Sequence, residues 1–268
     1  MRYIDVSEWQ GVIDWEQAKP FIDGAILRAG YGVNHIDAQF TRNAAECNRL
    51  SIPIGAYWFS YSKSPEMAKQ EAEYLLAAVK PYKMQLPLAF DFEYDSVNAA
   101  QKTGVSITKN LATAMVYAFC GTIEAGGYWC LNYANPDFLS RYFSADVPQR
   151  FGLWLAQWPG GTPNIKNKPR ADCQIWQWGG MEIPGITPGK EVDTNESYTD
   201  FKTLIAQYGL NHLNDEAPPV NTPFLWAKNN GLCGEVTEDS MVTWGDLANA
   251  LYRIHGPEDD KTASGLLT

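Results

Sequence analysis

Histidine is scarce in this chain, and its scarcity excludes several kinds of catalytic site. Only His35, His212 and His255 occur among 268 residues. No HExxH or CxxC motif is present, so no segment has the spacing of a metal-binding site. A Ser-His or Cys-His nucleophile before the last quarter of the chain would depend on His35, which lies in a polar turn and is expected to be solvated. We therefore expect neither a metal ion nor a cofactor.

The chain also lacks long apolar runs, an excess of basic residues and a cysteine pattern typical of disulfides. No apolar stretch approaches the roughly 18 residues of a membrane span, so we expect no membrane insertion. The net charge of −10 argues against a nucleic-acid partner. The five cysteines are dispersed and odd in number, and no secretory signal precedes the first predicted strand. Synthesis and folding in a reducing cytoplasm are therefore expected.

The most informative stretch that is present covers residues 86–93, LPLAFDFE. Its apolar run predicts a buried strand that ends in Asp91 and Glu93, which alternation places on one face. Two buried carboxyls on one face raise each other's pKa and hold one proton between them, as a glycosidase requires. This motif alone equally fits a structural ion pair with an arginine such as Arg28.

Two other predicted strands run into a carboxylate. The first strand contains Asp5, and the last strand of the main domain contains Asp193. In a parallel barrel, catalytic groups gather at the carboxyl ends of several strands. Acidic residues at three separate strand ends therefore favour the catalytic interpretation over isolated salt bridges.

The pattern of strands and helices predicts an α/β fold, an irregular TIM-like barrel with five strand–helix units followed by three strands, (β/α)5β3. The strands are predicted at residues 3–6, 25–29, 52–60, 87–93, 128–134, 152–158, 173–178 and 190–193. Helices are predicted at residues 15–22, 38–50, 65–79, 107–125, 136–142 and 198–207. This barrel would form a catalytic domain of residues 1–208, followed by a linker at 209–223 and a small helical C-terminal appendage at 224–268.

Six motifs in order make residues 3–208 resemble glycoside hydrolase family 25, the lysozymes often found as phage endolysins. They are Asp5-Val6-Ser7-x-Trp9-Gln10-Gly11, Gly55-Ala56-Tyr57-x-Phe59, Asp91-x-Glu93, Trp154-Leu155-Ala156-Gln157, Trp176-Gln177 and Val192-Asp193-x-Asn195. The resemblance implies a peptidoglycan hydrolase that cleaves the β-1,4 bond between N-acetylmuramic acid and N-acetylglucosamine. It further implies release to the bacterial cell wall through a holin-type or other export route. The alternatives are a catalytically silent peptidoglycan-binding barrel and a chitinase-like β-1,4-N-acetylhexosaminidase.

The resemblance also implies roles for the four carboxyls. Glu93 would be the general acid, with a pKa raised by the apolar wall and by Asp91. Asp91 would either orient the 2-acetamido group of the substrate or act as base or nucleophile itself. Asp5 and Asp193 would position water, hold a sugar hydroxyl or tune the pair; the alternative is that they are plain strand-end caps.

Flat aromatic rings bind the apolar faces of sugars, and several are predicted near strand ends. The candidates for substrate binding are Tyr57, Tyr133, Trp158 and Trp178, together with Arg28. The alternative is that the rings only fill the barrel core, although interior barrel layers prefer branched aliphatic side chains.

The predicted tail is acidic. Residues 209–268 carry three Lys or Arg and nine Asp or Glu residues, a net charge of −6. Two short amphipathic helices predicted there would leave apolar faces to cover, so wall binding and homo-oligomerisation through the tail are both open.

Overall fold

The structure, a computed structural model, describes residues 1–159 and 166–214. The chain divides into two compact units, residues 1–215 and 216–268, and all described residues belong to the first. The predicted helical tail at 224–268, most of the predicted linker and Cys233 lie outside the described residues. The other four cysteines are buried and free, as expected of reduced core residues.

Eight strands form a closed mixed barrel, as the sequence predicts. These strands are β1 (Arg2–Val6), β2 (Gly24–Tyr31), β4 (Ile54–Phe59), β5 (Leu88–Asp91), β6 (Cys130–Ala134), β7 (Leu153–Ala156), β8 (Cys173–Met181) and β9 (Val192–Ser197). Strand β1 closes the barrel by pairing with β2 in parallel and with β9 in antiparallel orientation. A two-residue strand that the sequence does not predict, β3 (His35–Ile36), pairs with the end of β2 outside the barrel. There His35 is exposed, as expected, and its ring stacks on Tyr31.

Each of the first five barrel strands is followed by at least one helix. Of the last three strands, only β9 is followed by a helix, which ends the domain. This order confirms the (β/α)5β3 pattern. The helices are α1 (Trp15–Ala18), α2 (Phe40–Arg49), α3 (Pro65–Val79), α4 (Tyr94–Lys102), α5 (Lys109–Ala125), α6 (Pro136–Arg141), α7 (Val147–Phe151) and α8 (Phe201–Tyr208), and short 3-10 turns lie at Glu8–Gln10 and Lys19–Phe21. Pro65 at the first position of α3 and the Ser64 side chain, which accepts from Met67 N, fix the start of that helix. Helices α4 and α7 are absent from the sequence prediction.

Two apolar layers position the strands. The inner layer fills the barrel and includes Tyr3, Ala89, Leu131 and Ile175. The outer layer lies between strands and helices and takes the alternate positions, for example Phe90. Because side chains alternate along a strand, an inner apolar residue is followed two positions later by another inner position, closer to the carboxyl edge.

Residues after the last helix remain attached to the barrel. Asn211 is 2% exposed. Its Nδ2 donates to the carbonyls of Met84 and Leu86, at 2.8 and 3.0 Å, and its Oδ1 accepts from Trp129 N at 2.8 Å. The start of the predicted linker is therefore hydrogen-bonded to the segments that enter β5 and β6.

Candidate active site

The inner positions at the carboxyl edge carry polar side chains. Asp5 follows Tyr3 on β1, Asp91 follows Ala89 on β5, Tyr133 follows Leu131 on β6, and Gln177 follows Ile175 on β8, each two residues later. Strand alternation therefore aims these side chains into the same end of the barrel. The sequence prediction of acids at strand ends holds for β1 and β5.

Asp193 reaches this edge by a different route from the predicted one. The sequence suggests a strand at 190–193 that ends in Asp193, but β9 begins at Val192 and continues to Ser197. Because β9 is antiparallel to β1, its beginning lies at the edge where β1 ends, and Asp193 is opposite Asp5 in the register. The side chain is brought to the cluster, but by a reversed strand.

Glu93 lies just beyond the strand that was predicted to contain it. Strand β5 ends at Asp91, and Glu93 is the residue that precedes helix α4. Its backbone N–H donates to Ser96 Oγ at 3.1 Å, which fixes the turn from strand to helix. The start of α4 therefore holds Glu93 beside Asp91.

Asp91 and Glu93 form a carboxyl pair with a hydrogen bond between them. Burial raises the pKa of Asp91 well above its usual range, and the negative charges of Glu93 and Asp5 raise it further. Burial also raises the pKa of Glu93, while the hydrogen bond from Asp91 opposes that shift. Through this hydrogen bond Asp91 lowers the pKa of Glu93, whereas the sequence argument expected Asp91 to raise it.

Asp5 is held by two amides. Its Oδ2 accepts from Asn195 Nδ2 at 2.8 Å and from Gln177 Nε2 at 3.0 Å. Burial and the charge of Asp193 raise the pKa of Asp5 to about 7, against the lowering effect of the two amide hydrogen bonds. The pKa of Asp193 is itself raised by burial. All four carboxyls of the cluster, Asp5, Asp91, Glu93 and Asp193, therefore have pKa values raised by burial.

Arg28 does not form the ion pair with Asp91 or Glu93 that was the alternative to a catalytic pair. Its Nε donates to Asp37 Oδ2 and its Nη2 to Glu8 Oε1, each at 2.8 Å. Arg28 lines the cleft beside the carboxyls. Its positive charge lowers the pKa of Asp91, but this effect is smaller than the raising effects of burial and of the Glu93 and Asp5 charges. The catalytic interpretation is the one that this geometry favours.

The carboxyls line a cleft with a volume of about 220 Å³. Tyr57 and Tyr133 lie in its wall, as the sequence suggests for substrate-binding rings. Trp158 is 58% exposed, and its Nε1 donates to Gln177 Oε1 at 3.2 Å, which places it next to the wall. Trp178 packs against the outer apolar layer and is not among the lining residues, so its predicted role in substrate binding has no support in this geometry.

Sequence reasoning did not assign several residues of the site, among them Trp9, Trp154, Gln177 and Asn195. Trp9 lines the cleft and is 76% exposed, which makes it an open aromatic surface at the mouth. Trp154 and Gln177 also line the cleft, and Asn195 bonds Asp5 from behind. All four belong to the sequence motifs that carry the family resemblance. Membership of these motifs was the signal from which they could have been identified as site residues.

A second, larger cavity of about 640 Å³ lies at the opposite end of the strands. Its lining includes Glu124 and Asp172, and both are ion-paired, with Arg150 and Arg170 respectively. The hydrogen bond from Arg170 lowers the pKa of Asp172, which makes that carboxylate a poor proton donor. Size alone therefore does not identify a reactive site, and the smaller cleft is the one that contains the cluster of buried carboxyls.

No group of three or more His, Cys, Asp or Glu side chains in the described part of the chain is placed to hold a metal ion. Within residues 1–159 and 166–214, no helix is long and apolar enough to cross a membrane. The cleft instead offers a hydrogen-bonded acid pair, a third carboxylate held by amides, and aromatic walls. This set can protonate a leaving oxygen and stabilise a positive charge that develops next to it.

Comparisons with known proteins agree with this geometry. The family model described as glycosyl hydrolases family 25 matches residues 4–186. A comparison with curated proteins finds no match. Among solved structures, a family 25 glycosyl hydrolase from Bacillus anthracis is 23% identical with a TM-score of 0.59, over 76% of this chain and 92% of that one.

Two further solved structures share the fold. The lysozyme from Streptomyces coelicolor is 20% identical with a TM-score of 0.59, over 80% of this chain and 98% of that one. The modular autolysin LytC from Streptococcus pneumoniae is 24% identical with a TM-score of 0.60, over 72% of this chain. The chain spans 46% of the length of that autolysin.

Proposed function

The chain belongs to glycosyl hydrolase family 25 and is a glycoside hydrolase, and from this premise we propose that it hydrolyses bacterial peptidoglycan. The bond cut would be the β-1,4 linkage from N-acetylmuramic acid to N-acetylglucosamine. The observation that carries the proposal is the pair of Asp91 and Glu93 side by side in an aromatic cleft, because burial raises the pKa of both carboxyls and favours the protonated form that a general acid needs.

Glu93 protonates the leaving glycosidic oxygen in this proposal. Burial raises the pKa of Glu93, which favours the protonated form that this role requires. The transition state carries positive charge on the sugar. The Asp5 carboxylate faces the same cleft and would stabilise that charge.

Asp91 then has two candidate roles, to orient the 2-acetamido group of the substrate as internal nucleophile or to act as base or nucleophile itself. An inverting mechanism needs roughly 6.5–9.5 Å between its carboxyls to admit a water. A direct hydrogen bond between Asp91 and Glu93 leaves no such space between these two groups. The geometry therefore argues against Asp91 as the base of an inverting mechanism, and it leaves orientation of the acetamido group and nucleophilic attack as the two roles to be distinguished.

A narrower proposal concerns the biological setting. Solved structures similar to this chain include the endolysin CTP1L and an endolysin from phage Cp-1, which are 19% and 21% identical to it. We propose that this chain likewise serves a phage or prophage as an endolysin that causes lysis after its release to the wall. Expression in a host with and without a holin would test this, and lysis that needs no release system would contradict it.

Digestion of purified peptidoglycan tests the activity itself. After borohydride reduction, mass spectrometry of the fragments should find reduced N-acetylmuramic acid at the new ends. Reduced N-acetylglucosamine would mean that the other glycan bond is cut, and cleavage of chitin oligomers would favour the chitinase-like alternative. Binding of the wall without release of reducing ends would instead show a catalytically silent barrel.

A further inference from the structure

The two amides that hold Asp5 are themselves oriented by indole groups. Trp154 Nε1 donates to Asn195 Oδ1 at 2.7 Å, and Trp158 Nε1 donates to Gln177 Oε1 at 3.2 Å. An indole nitrogen can only donate a hydrogen bond. Each tryptophan therefore identifies the amide oxygen of its partner, and the opposite end of each amide must be the donating NH2 group.

Both of those NH2 groups point at one atom, Oδ2 of Asp5, at 2.8 and 3.0 Å. The Tyr133 hydroxyl also donates to Gln177 Oε1, at 3.0 Å, but a hydroxyl can equally accept, so Trp158 is the partner that fixes the direction of this amide. Asp5 is 8% exposed and Asn195 is fully buried, so water does not replace these bonds. The cleft thus contains two parallel relays, from Trp154 through Asn195 and from Trp158 through Gln177.

We propose that Trp154 and Trp158 are positioning residues that lock the amides of Asn195 and Gln177 in the orientation that favours Asp5 as an anion. The proposal rests on the proposed function, in which the Asp5 carboxylate stabilises positive charge on the sugar. If either amide were to flip, its oxygen would accept from a protonated Asp5. The indole N–H prevents that flip, because the flipped NH2 group would then face a second donor.

The charged groups around Asp5 explain why the orientation of the two amides matters for its ionisation. The titratable or charged groups that face the same cleft are Arg28, Tyr57, Asp91, Glu93, Tyr133 and Asp193. Four members of the cluster are carboxyls, counting Asp5, so charge repulsion and burial both favour protonated Asp5. The oriented amides are the main opposing interaction, and they act without adding a charge to the cleft.

The test is a titration of Asp5 by carboxyl 13C NMR, with its signal assigned by comparison with Asp5→Asn. Trp154→Phe keeps a ring in place but removes the N–H. We expect the Asp5 midpoint to rise by roughly one unit, which is a tenfold change in proton affinity. The acidic limb of the kcat/KM profile on peptidoglycan should move to higher pH by the same amount, with little change on the alkaline side.

A double-mutant cycle separates positioning from a general structural effect. In the Asn195→Ala background, Trp154→Phe should produce no further shift of the Asp5 midpoint, because the relay is already broken. Trp158→Phe provides a second variant at an exposed position, where misfolding is not expected, and should raise the midpoint through Gln177. Trp176→Phe is the matched control: its Nε1 donates to the Gln157 carbonyl outside the relays, and the Asp5 midpoint should not move.

An unchanged Asp5 midpoint in folded Trp154→Phe and Trp158→Phe would overturn the proposal. A shift that persists in the Asn195→Ala background would equally overturn it for Trp154. Because the NMR titration does not require turnover, it remains decisive if the wild-type protein fails to cut peptidoglycan, and that failure would count against the proposed function alone.

Discussion

Glu93 is the residue whose single replacement should have the largest effect on catalysis. We expect Glu93→Gln to lose activity on peptidoglycan by ~10²–10⁴-fold, because an amide cannot donate a proton to the leaving oxygen. The fold should persist, since the bond from Glu93 N–H to Ser96 Oγ involves only the backbone of Glu93. The measurement is the release of reducing ends by the variant and by wild type at equal concentration.

Glu124→Gln is a suitable control for that substitution. Glu124 is an ion-paired acid on α5 that lines the other cavity, so its loss should leave turnover at the wild-type rate. Wild-type turnover by folded Glu93→Gln would show that another group donates the proton.

Asp193 should set the position of the acidic limb in the pH profile. Its negative charge raises the pKa of Asp5, which lies at about 7. Asp193→Asn removes that charge, so the Asp5 pKa should fall and Asp5 should stay ionised to lower pH. We expect the acidic limb of kcat/KM to move down by ~0.5–1 unit.

Rate profiles from pH 4 to 9 would measure this shift in wild type, in Asp193→Asn and in a control variant, Glu16→Gln. Glu16→Gln serves as the control, because Glu16 lies in an exposed ion pair with Arg49 and its loss should leave the limb in place. If the limb stays in place in Asp193→Asn, Asp5 is not the group that titrates there.

At the scale of elements, alternation along strands made most of the site predictable. A polar residue two positions after an inner apolar one marks the carboxyl edge, and this rule finds Asp5 and Asp91 from sequence. Helix α3 was predicted with the observed bounds because Ser64, Pro65 and the apolar spacing agree. Local signals therefore succeed where the local geometry is regular.

Other elements depend on information that no local pattern holds. The direction of β9 is decided by its pairing with β1 and β8, so Asp193 was assigned to the end of a strand instead of its beginning. Helix α4 is rich in residues of modest helix propensity, such as Asp95 and Asn98, and it forms because the chain must turn away from β5. Trp178 was misplaced because proximity to a strand end does not fix the face that a ring occupies.

The segment after α8 gives a prediction at the same scale. Asn211→Ala would leave the carbonyls of Met84 and Leu86 and the N–H of Trp129 without this partner. Unpaired buried groups are costly, so the free energy of unfolding should fall by ~1–3 kcal/mol. Urea denaturation would measure it, with the exposed Asn214→Ala as control at under about 0.5 kcal/mol. Equal losses in the two variants would show that Asn211 does not anchor this segment.

At the scale of the whole molecule, the buried acids link stability to pH. Asp91 has a raised pKa in the folded state, so its protonated form stabilises the fold at low pH. That contribution is lost as pH rises from about 4 through the folded pKa. We expect Asp91→Asn to raise the Tm at pH 8 by several degrees, at about 2–4 °C per kcal/mol, and to have little effect at pH 4.

Thermal unfolding at both pH values would show the difference. Asp137→Asn is the control, because Asp137 is exposed and bonded to Tyr94 and Arg141, and its pKa is lowered. A variant Asp91→Asn that is less stable than wild type at pH 8 would contradict the argument.

The division of the chain gives a prediction for the tail. We expect a protein that ends at residue 215 to cut soluble glycan fragments at the full rate and to lyse whole cells more weakly, or to differ in oligomeric mass. The reason is that the described cleft is built within residues 1–214. A protein that ends at Tyr208 is the informative comparison, since it lacks Asn211 and should be less stable. Loss of cleavage by the folded 1–215 protein would mean that the tail contributes to catalysis.

The antiparallel pairing of β9 with β1 has a consequence for a chain still on the ribosome. Asp5 is made with β1, well before its partner Asp193 and its amide donor Asn195, which arrive only with β9. Until then β1 and β8 are open sheet edges and the carboxyl cluster is incomplete. Synthesis that stops early should therefore yield fragments without hydrolase activity, and the last barrel strand to be translated is the one that completes the enzyme.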